Sequence, residues 1–195
     1  EHDRDKLITI ALSYIPADCA VARSAHAALE AHRQGLGLMA AREAVVRASA
    51  STGWFMAPQN VAFVILGWLY GEGDFGRSLC AAVNCGDDTD CTGATLGSLL
   101  GILSGTAGIP AQWREPIGEQ IRNVAVSGFA PPPDLSALAD QVVGMTPAVL
   151  WYHGVAVALR NTAAPAVETR GISLEDAPTT RELQGRSPYR FTLPT

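Results

Sequence analysis

Eight consecutive residues concentrate the chemistry of this chain: Asn84-Cys85-Gly86-Asp87-Asp88-Thr89-Asp90-Cys91. Three carboxylates fall within four positions, and apolar segments flank them: Ala81, Ala82 and Val83 before, Leu96, Leu99, Leu100, Ile102 and Leu103 after. Like charges this close repel, and burying them without partners is expensive. No Lys or Arg lies between Arg77 and Arg114 to neutralise them. A bound cation is the simplest remedy, and hard oxygen donors suit Mg²⁺, Mn²⁺ or Ca²⁺. Asp88 and Asp90 are two apart, a spacing that does not share a helix face. They converge if Asp88 is a non-helical cap and Asp90 opens the helix, with Gly86 giving the freedom to turn in. The bland alternative makes Asp88 an N-cap and its acidic neighbours mere companions of the helix dipole.

The element that must carry this cluster is the helix after it. Gly93, Gly97, Gly101 and Gly105 recur every four residues and so line one face. Each costs about 1 kcal/mol of helix propensity relative to Ala, which predicts a closely approaching backbone. Leu96, Leu99, Leu100 and Leu103 fill the other faces, so the expectation is a central helix, among the most buried, with the acids at its N-terminal end. Upstream, the apolar periodicity predicts helices over 3–14, 19–34 with Asp18 as cap, and 40–50. A strongly apolar one opens at Pro58 and runs to Tyr70. Asp74 caps a short helix that delivers the motif. Downstream, helices are expected over 113–124, from Asp134 to Val143, and from Pro147 to Leu159. The pattern fades beyond Asn161 into a segment with β-like stretches, giving expected divisions of 1–160 and 161–195.

These residues reach a family. Asn84 to Ala94, the glycine-spaced helix and Gly108-Ile-Pro-Ala-Gln-Trp113 closely resemble the second metal motif of the ADP-ribosylglycohydrolases, and Gly73-Asp-Phe75 fits the same order. The resemblance is good over residues 5–125 and weak afterwards. It implies an all-α orthogonal helical bundle and a hydrolase that removes ADP-ribose from modified proteins or related conjugates with a divalent metal pair, Mg²⁺ or Mn²⁺. By that match Asp88 and Asp90 are metal ligands, with Asp87 and Asn84 at the edge of the ligand pocket. Many members have Gly where this chain has Asp87, and often Thr where it has Cys91. A thiol is a poor donor to Mg²⁺ and a better one to softer ions. The family's other metal motif, Thr-Asp-Asp, and its water-activating acid have no counterpart here. The resemblance therefore implies a bundle incomplete at the N-terminus and little catalysis from this chain alone. Alternative readings are a non-catalytic, crystallin-like or ligand-binding protein on the same scaffold, and a calcium module, against which the lack of an EF-hand pattern argues.

The remaining composition narrows the partners. Net charge is −5, with nothing like a basic patch, which excludes nucleic acid and anionic membrane as expected partners. Cys19, Cys80, Cys85 and Cys91 match no zinc or CxxC spacing, so reduced thiols in a cytoplasmic protein are expected. The charge-free runs Ala48–Gly71 and Cys91–Trp113 are long enough to suggest membrane spans, but Pro58-Gln59-Asn60 interrupts one and Gly108-Ile-Pro110 ends the other. Both read as buried helices. His2, His26, His32 and His153 show no ligand spacing. Trp68, Trp113 and Trp151 read as core, with Trp54, in a loop, a candidate for binding. No nucleophile triad and no phosphate-binding glycine loop is present.

Overall fold

The computed structural model describes residues 1–49, 55–123, 127–128 and 130–154. Trp54 and the segment beyond 154, including the expected boundary at 160–161, lie outside the described residues. The all-α expectation holds: the described elements are helices, with one isolated bridge between Gln120 and Asp134. They fall into two compact units, Glu1–Glu119 and one beginning at Gln120.

The first unit holds α1 (Arg4–Ser13), α2 (Ala20–Arg33), α3 (Leu38–Ser49), α4 (Ala57–Tyr70), α5 (Phe75–Asn84), α6 (Thr89–Ser104) and the four-residue α7 (Ala111–Arg114). Asp3 and Asp74 accept from the amides of Lys6 and Arg77, as N-caps should. Asp18 does not cap α2. Cys19 does, its Sγ accepting from Ala22 N at 3.4 Å. The helix expected over 113–124 stops at Arg114, because Pro116 offers no amide and Gly118 takes a left-handed φ of +70°.

The most buried helix is α4, not α6. Ten of its fourteen residues are buried, against three of sixteen in α6. With α2, α3, α5 and α6 packed around it, α4 is covered over most of its surface, Val61 excepted, which explains its near-continuous apolar sequence. The close backbone approach is also in α4. A Cβ at Gly67 would stand 2.5 Å from Ala82 Cβ, 2.8 Å from Leu96 Cδ2 and 2.8 Å from the Ser78 carbonyl. The α6 glycines do face neighbours, but only side chains: Val83 at 3.2 Å from a Cβ at Gly93, Leu79 at 3.6 Å from one at Gly97, and Ile109 at 3.7 Å from one at Gly101. The stripe lets α5 lie against α6, and it leaves Ile102 on the opposite side 80% exposed.

The second unit carries α8 (Leu135–Tyr152), capped by Asp134. It runs through Pro147 where a helix break and a new start were expected. An interior proline costs a hydrogen bond and a steric clash, about 3 kcal/mol, and the helical residues on both sides carry it. Trp151, expected in a core, is 83% exposed. Among the described residues no helix is long and apolar enough to cross a membrane: α4 and α6 end after fourteen and sixteen residues.

Candidate metal centre

The acidic motif is the tight link of an antiparallel-type helix hairpin, α5 to α6. Cys85 ends α5, and Arg42 reaches across from α3 to donate Nε to the Cys85 carbonyl at 2.6 Å, its guanidinium 5.7 Å from the Phe63 ring. The cation that the local sequence lacks thus arrives from forty residues upstream. It meets a carbonyl, with another nitrogen on Glu43 at 2.6 Å. Gly86 and Asp87 then take left-handed conformations in succession, with φ of +81° and +61°. Glycine adopts this region without steric cost, and Asp is among the few other residues that tolerate it.

The two left-handed residues throw the three carboxylates in different directions. Asp87 turns inward, onto the start of α4. Its carboxylate accepts from Phe55 N at 3.2 Å, Gln59 Nε2 at 3.2 Å and Asn60 Nδ2 at 2.7 Å. Asn60 also grips the next residue, its Oδ1 accepting from Asp88 N at 3.2 Å. Gln59 and Asn60 are each 8% exposed, and these bonds satisfy them. In the sequence they served only to interrupt an apolar run. Two adjacent amides in an otherwise apolar helix were the available signal for a polar partner in the core.

Asp88 and Asp90 turn the other way. Asp88 occupies the N-cap position of α6, yet its side chain makes no capping bond. The bland capping role is therefore not what it performs. A carboxylate oxygen of Asp88, one of Asp90 and the Cys91 sulfur all lie within 4.8 Å of one another. Asp88 is half-buried, while Asp90 and Cys91 are exposed. Asp87, the other half-buried carboxylate, has hydrogen-bond partners, and Asp90 is wet. Asn84 is the last residue of α5 and is exposed. The Cys91 thiol is pushed above its ordinary pKa, first by its hydrogen bond to Asp88, then by desolvation and by the charges of Asp88 and Asp90.

Donor chemistry tests the fit of a divalent ion. Two carboxylates that converge without a helix amide or a cation between them form a hard-oxygen pair, the set that Mg²⁺ and Mn²⁺ take, and the sulfur beside them is softer. The residues present therefore fit such an ion. Asp88 and Cys91 line an apolar cavity of about 780 Å³ formed by α1, α2, α4 and α6. Thr92 and Asn60 also line it, with Leu12, Val64 and Trp68 among its apolar residues. Of the histidines, His32 packs its ring edge-on against Tyr70, with centroids 5.2 Å apart, and plays no part in the site.

No curated protein and no solved structure matches the chain. The family model of the ADP-ribosylglycohydrolases matches residues 1–150. The match runs past residue 125, where the resemblance was expected to weaken, and takes in most of α8. It also covers the hairpin that aims Asp88 and Asp90 at one point and the helices that wall the cavity beside them. The chain belongs to the ADP-ribosylglycohydrolase family, whose members are in general metal-dependent hydrolases of ADP-ribosylated substrates.

Proposed function

We propose that this chain supplies a divalent-cation site, Asp88 and Asp90, to the hydrolysis of ADP-ribosyl conjugates, with Mg²⁺ or Mn²⁺ as the ion and the cytoplasm as its setting. The observation that carries the reading is the N-cap carboxylate of Asp88, which leaves the helix amides alone and converges with Asp90 beside a cavity. A bound divalent ion supplies positive charge there, which orients ribose hydroxyls and offsets pyrophosphate charge. The chain's own groups do the rest. Asp87 and Asn60 lock the turn, which fixes the backbone that carries Asp88 and Asp90. The cavity, within the roughly 300–1,000 Å³ range of small-molecule sites, offers apolar walls for a base or leaving group.

The experiment is calorimetric titration of the protein with Mn²⁺ and Mg²⁺, together with an assay of ADP-ribose release from a modified protein. Asp88→Asn and Asp90→Asn should each cut cation affinity about tenfold or more, since a neutral amide replaces a charged donor, and leave the helical circular-dichroism signal in place. Where release is measurable, both should abolish it. Cation binding and release that both variants leave at wild-type levels would refute the proposal.

A further inference from the structure

The cavity along α4 and α6 is polar at one end only. On α6 its lining runs from Asp88, Thr92 and Thr95 to Leu99, Ile102 and Leu103. On α4 it runs from Asn60 to Val64 and Trp68. The polar ends coincide, because Asn60 Oδ1 accepts from Asp88 N at 3.2 Å. About two turns further along both helices, a Cβ at Gly67 would stand 2.8 Å from Leu96 Cδ2, so α4 and α6 run side by side in the same sense. Helix rise puts Leu103 about 16 Å beyond Thr92, with apolar lining over the far part of that length. Val61 and Ile102 line this groove and are exposed, and apolar surface left open in a concave site marks a place for a ligand. Among the described residues no Lys, Arg or His lines it. Its carboxylates are Asp88 and Glu1, and Glu1 is paired with Lys6 Nζ at 2.5 Å. Beyond Asp88 the groove therefore offers a pyrophosphate no cation and a guanidinium no unpaired carboxylate, and burying either charge against leucine is expensive.

We propose that this groove binds the leaving group of the ADP-ribosyl conjugate, and that this leaving group is uncharged and apolar, an aliphatic or aromatic carrier and not a guanidinium. The proposal rests on Asp88 and Asp90 forming the cation site that holds the ribosyl group. With the ribose at the polar end, its charged pyrophosphate is kept out of the apolar length, and the substituent on the anomeric carbon takes that place. In the hydrolysis the oxygen of water bonds to the anomeric carbon, the bond to the leaving atom breaks with its electron pair, and that atom takes up a proton from the water. The groove contributes selection: Val61, Val64 and Ile102 reward each methylene removed from water and penalise a charge.

The test uses the full chain with Mn²⁺ and a series of probes, methyl, butyl and octyl ribofuranoside and 4-guanidinobutyl ribofuranoside, titrated calorimetrically below any micelle concentration. Affinity should rise about two- to fourfold per methylene, so the octyl compound should bind at least about tenfold tighter than the butyl one. The guanidino compound should bind about tenfold or more weaker than the octyl one. Ile102→Lys, at an exposed position that folding does not need buried, should cut the butyl-to-octyl gain to less than about twofold, and so should Val61→Lys. Both should leave Mn²⁺ affinity within about threefold of wild type. Val143→Lys on α8 replaces an exposed apolar side chain elsewhere and should keep the full gain. With Mn²⁺ binding intact, a series without a chain-length gain, a gain that Ile102→Lys leaves in place, or a guanidino compound that binds as tightly as the octyl one overturns the apolar leaving group and leaves the cation site standing. Mn²⁺ binding that ignores Asp88→Asn and Asp90→Asn, or no Mn²⁺ binding at all, overturns both.

Discussion

Replacement of Asp87 separates an anchor from a ligand. Asp87→Ala removes three hydrogen bonds to a carboxylate, each worth about 1.5–3 kcal/mol when the acceptor is charged. The full sum is not expected. The site is half-exposed, water can reach the freed donors, and Asn60 keeps its bond to the Met56 carbonyl at 3.1 Å. About 2 kcal/mol should survive from the hydrogen bonds, and a further ~1 kcal/mol comes from forcing Ala into a φ of +61°. Asp87→Gly loses the same bonds without the backbone penalty, so it should be milder by about 1 kcal/mol. Asp87→Asn keeps one carbonyl acceptor and tolerates the left-handed backbone, and should cost about 1 kcal/mol. Urea unfolding followed by helical circular dichroism gives the three values, in the order Asn, Gly, Ala. Mn²⁺ binding by Asp87→Asn should remain close to wild type, because the Asp87 oxygens face α4 rather than the Asp88–Asp90 pair. Asp87→Ala within a few tenths of a kcal/mol of wild type would refute the anchor. So would an Asp87→Asn protein of unchanged stability that no longer binds the ion.

Other substitutions probe the packing. Gly67→Ala places a methyl group against Ala82, Leu96 and the Ser78 carbonyl and should destabilise by about 1–3 kcal/mol in the same urea assay. Gly97→Ala meets only Leu79 at an ordinary distance and should be neutral or stabilising by up to about 1 kcal/mol; a loss as large as that of Gly67→Ala would restore α6 as the crowded helix. Burial pushes the Cys85 thiol up to about 11 from 9.0, partly opposed by the charge of Arg42. The native state therefore holds this proton more tightly than the unfolded chain. The resulting stability is complete below pH 9 and is lost as pH rises through about 11, so unfolding free energy should fall across that window, and less steeply in Cys85→Ala. At neutral pH native Cys85 should resist alkylation while Cys80 reacts, and equal labelling rates would count against the buried thiol.

Local signals were legible in the sequence, and tertiary ones were not. Asp74 and Asp134 cap where their sequence context puts them, since a cap is a contact across three residues. The apolar run after Pro58 reads as a buried helix because nearly all of α4 is covered. The glycine stripe of α6 misled on depth. A period of four reports which face meets a neighbour, but not whether the opposite face meets one too, and Ile102 shows that it does not. Gly67, which does admit another helix, has one companion at this spacing, Gly71, where a Cβ would stand 2.5 Å from Ser78 Cα, and a single pair does not stand out as a stripe. At the motif, counting charges along the chain predicted three unneutralised acids, and the fold divides them. Asp87 is neutralised by dipoles, through an amide hydrogen from Phe55 and the side-chain amides of Gln59 and Asn60, none of them nearer than 27 residues in sequence. Arg42 binds the Cys85 carbonyl from 43 residues away. The same division explains why Asp88 and Asp90 converge. With Asp87 drawn inward and Asp88 N held by Asn60, the backbone enters α6 with one direction fixed, and the two remaining carboxylates have the same outward side of the turn to occupy. An extra carboxylate in a motif of this kind therefore does not have to be an extra ligand. Here its observed partners make it the residue that aims the other two.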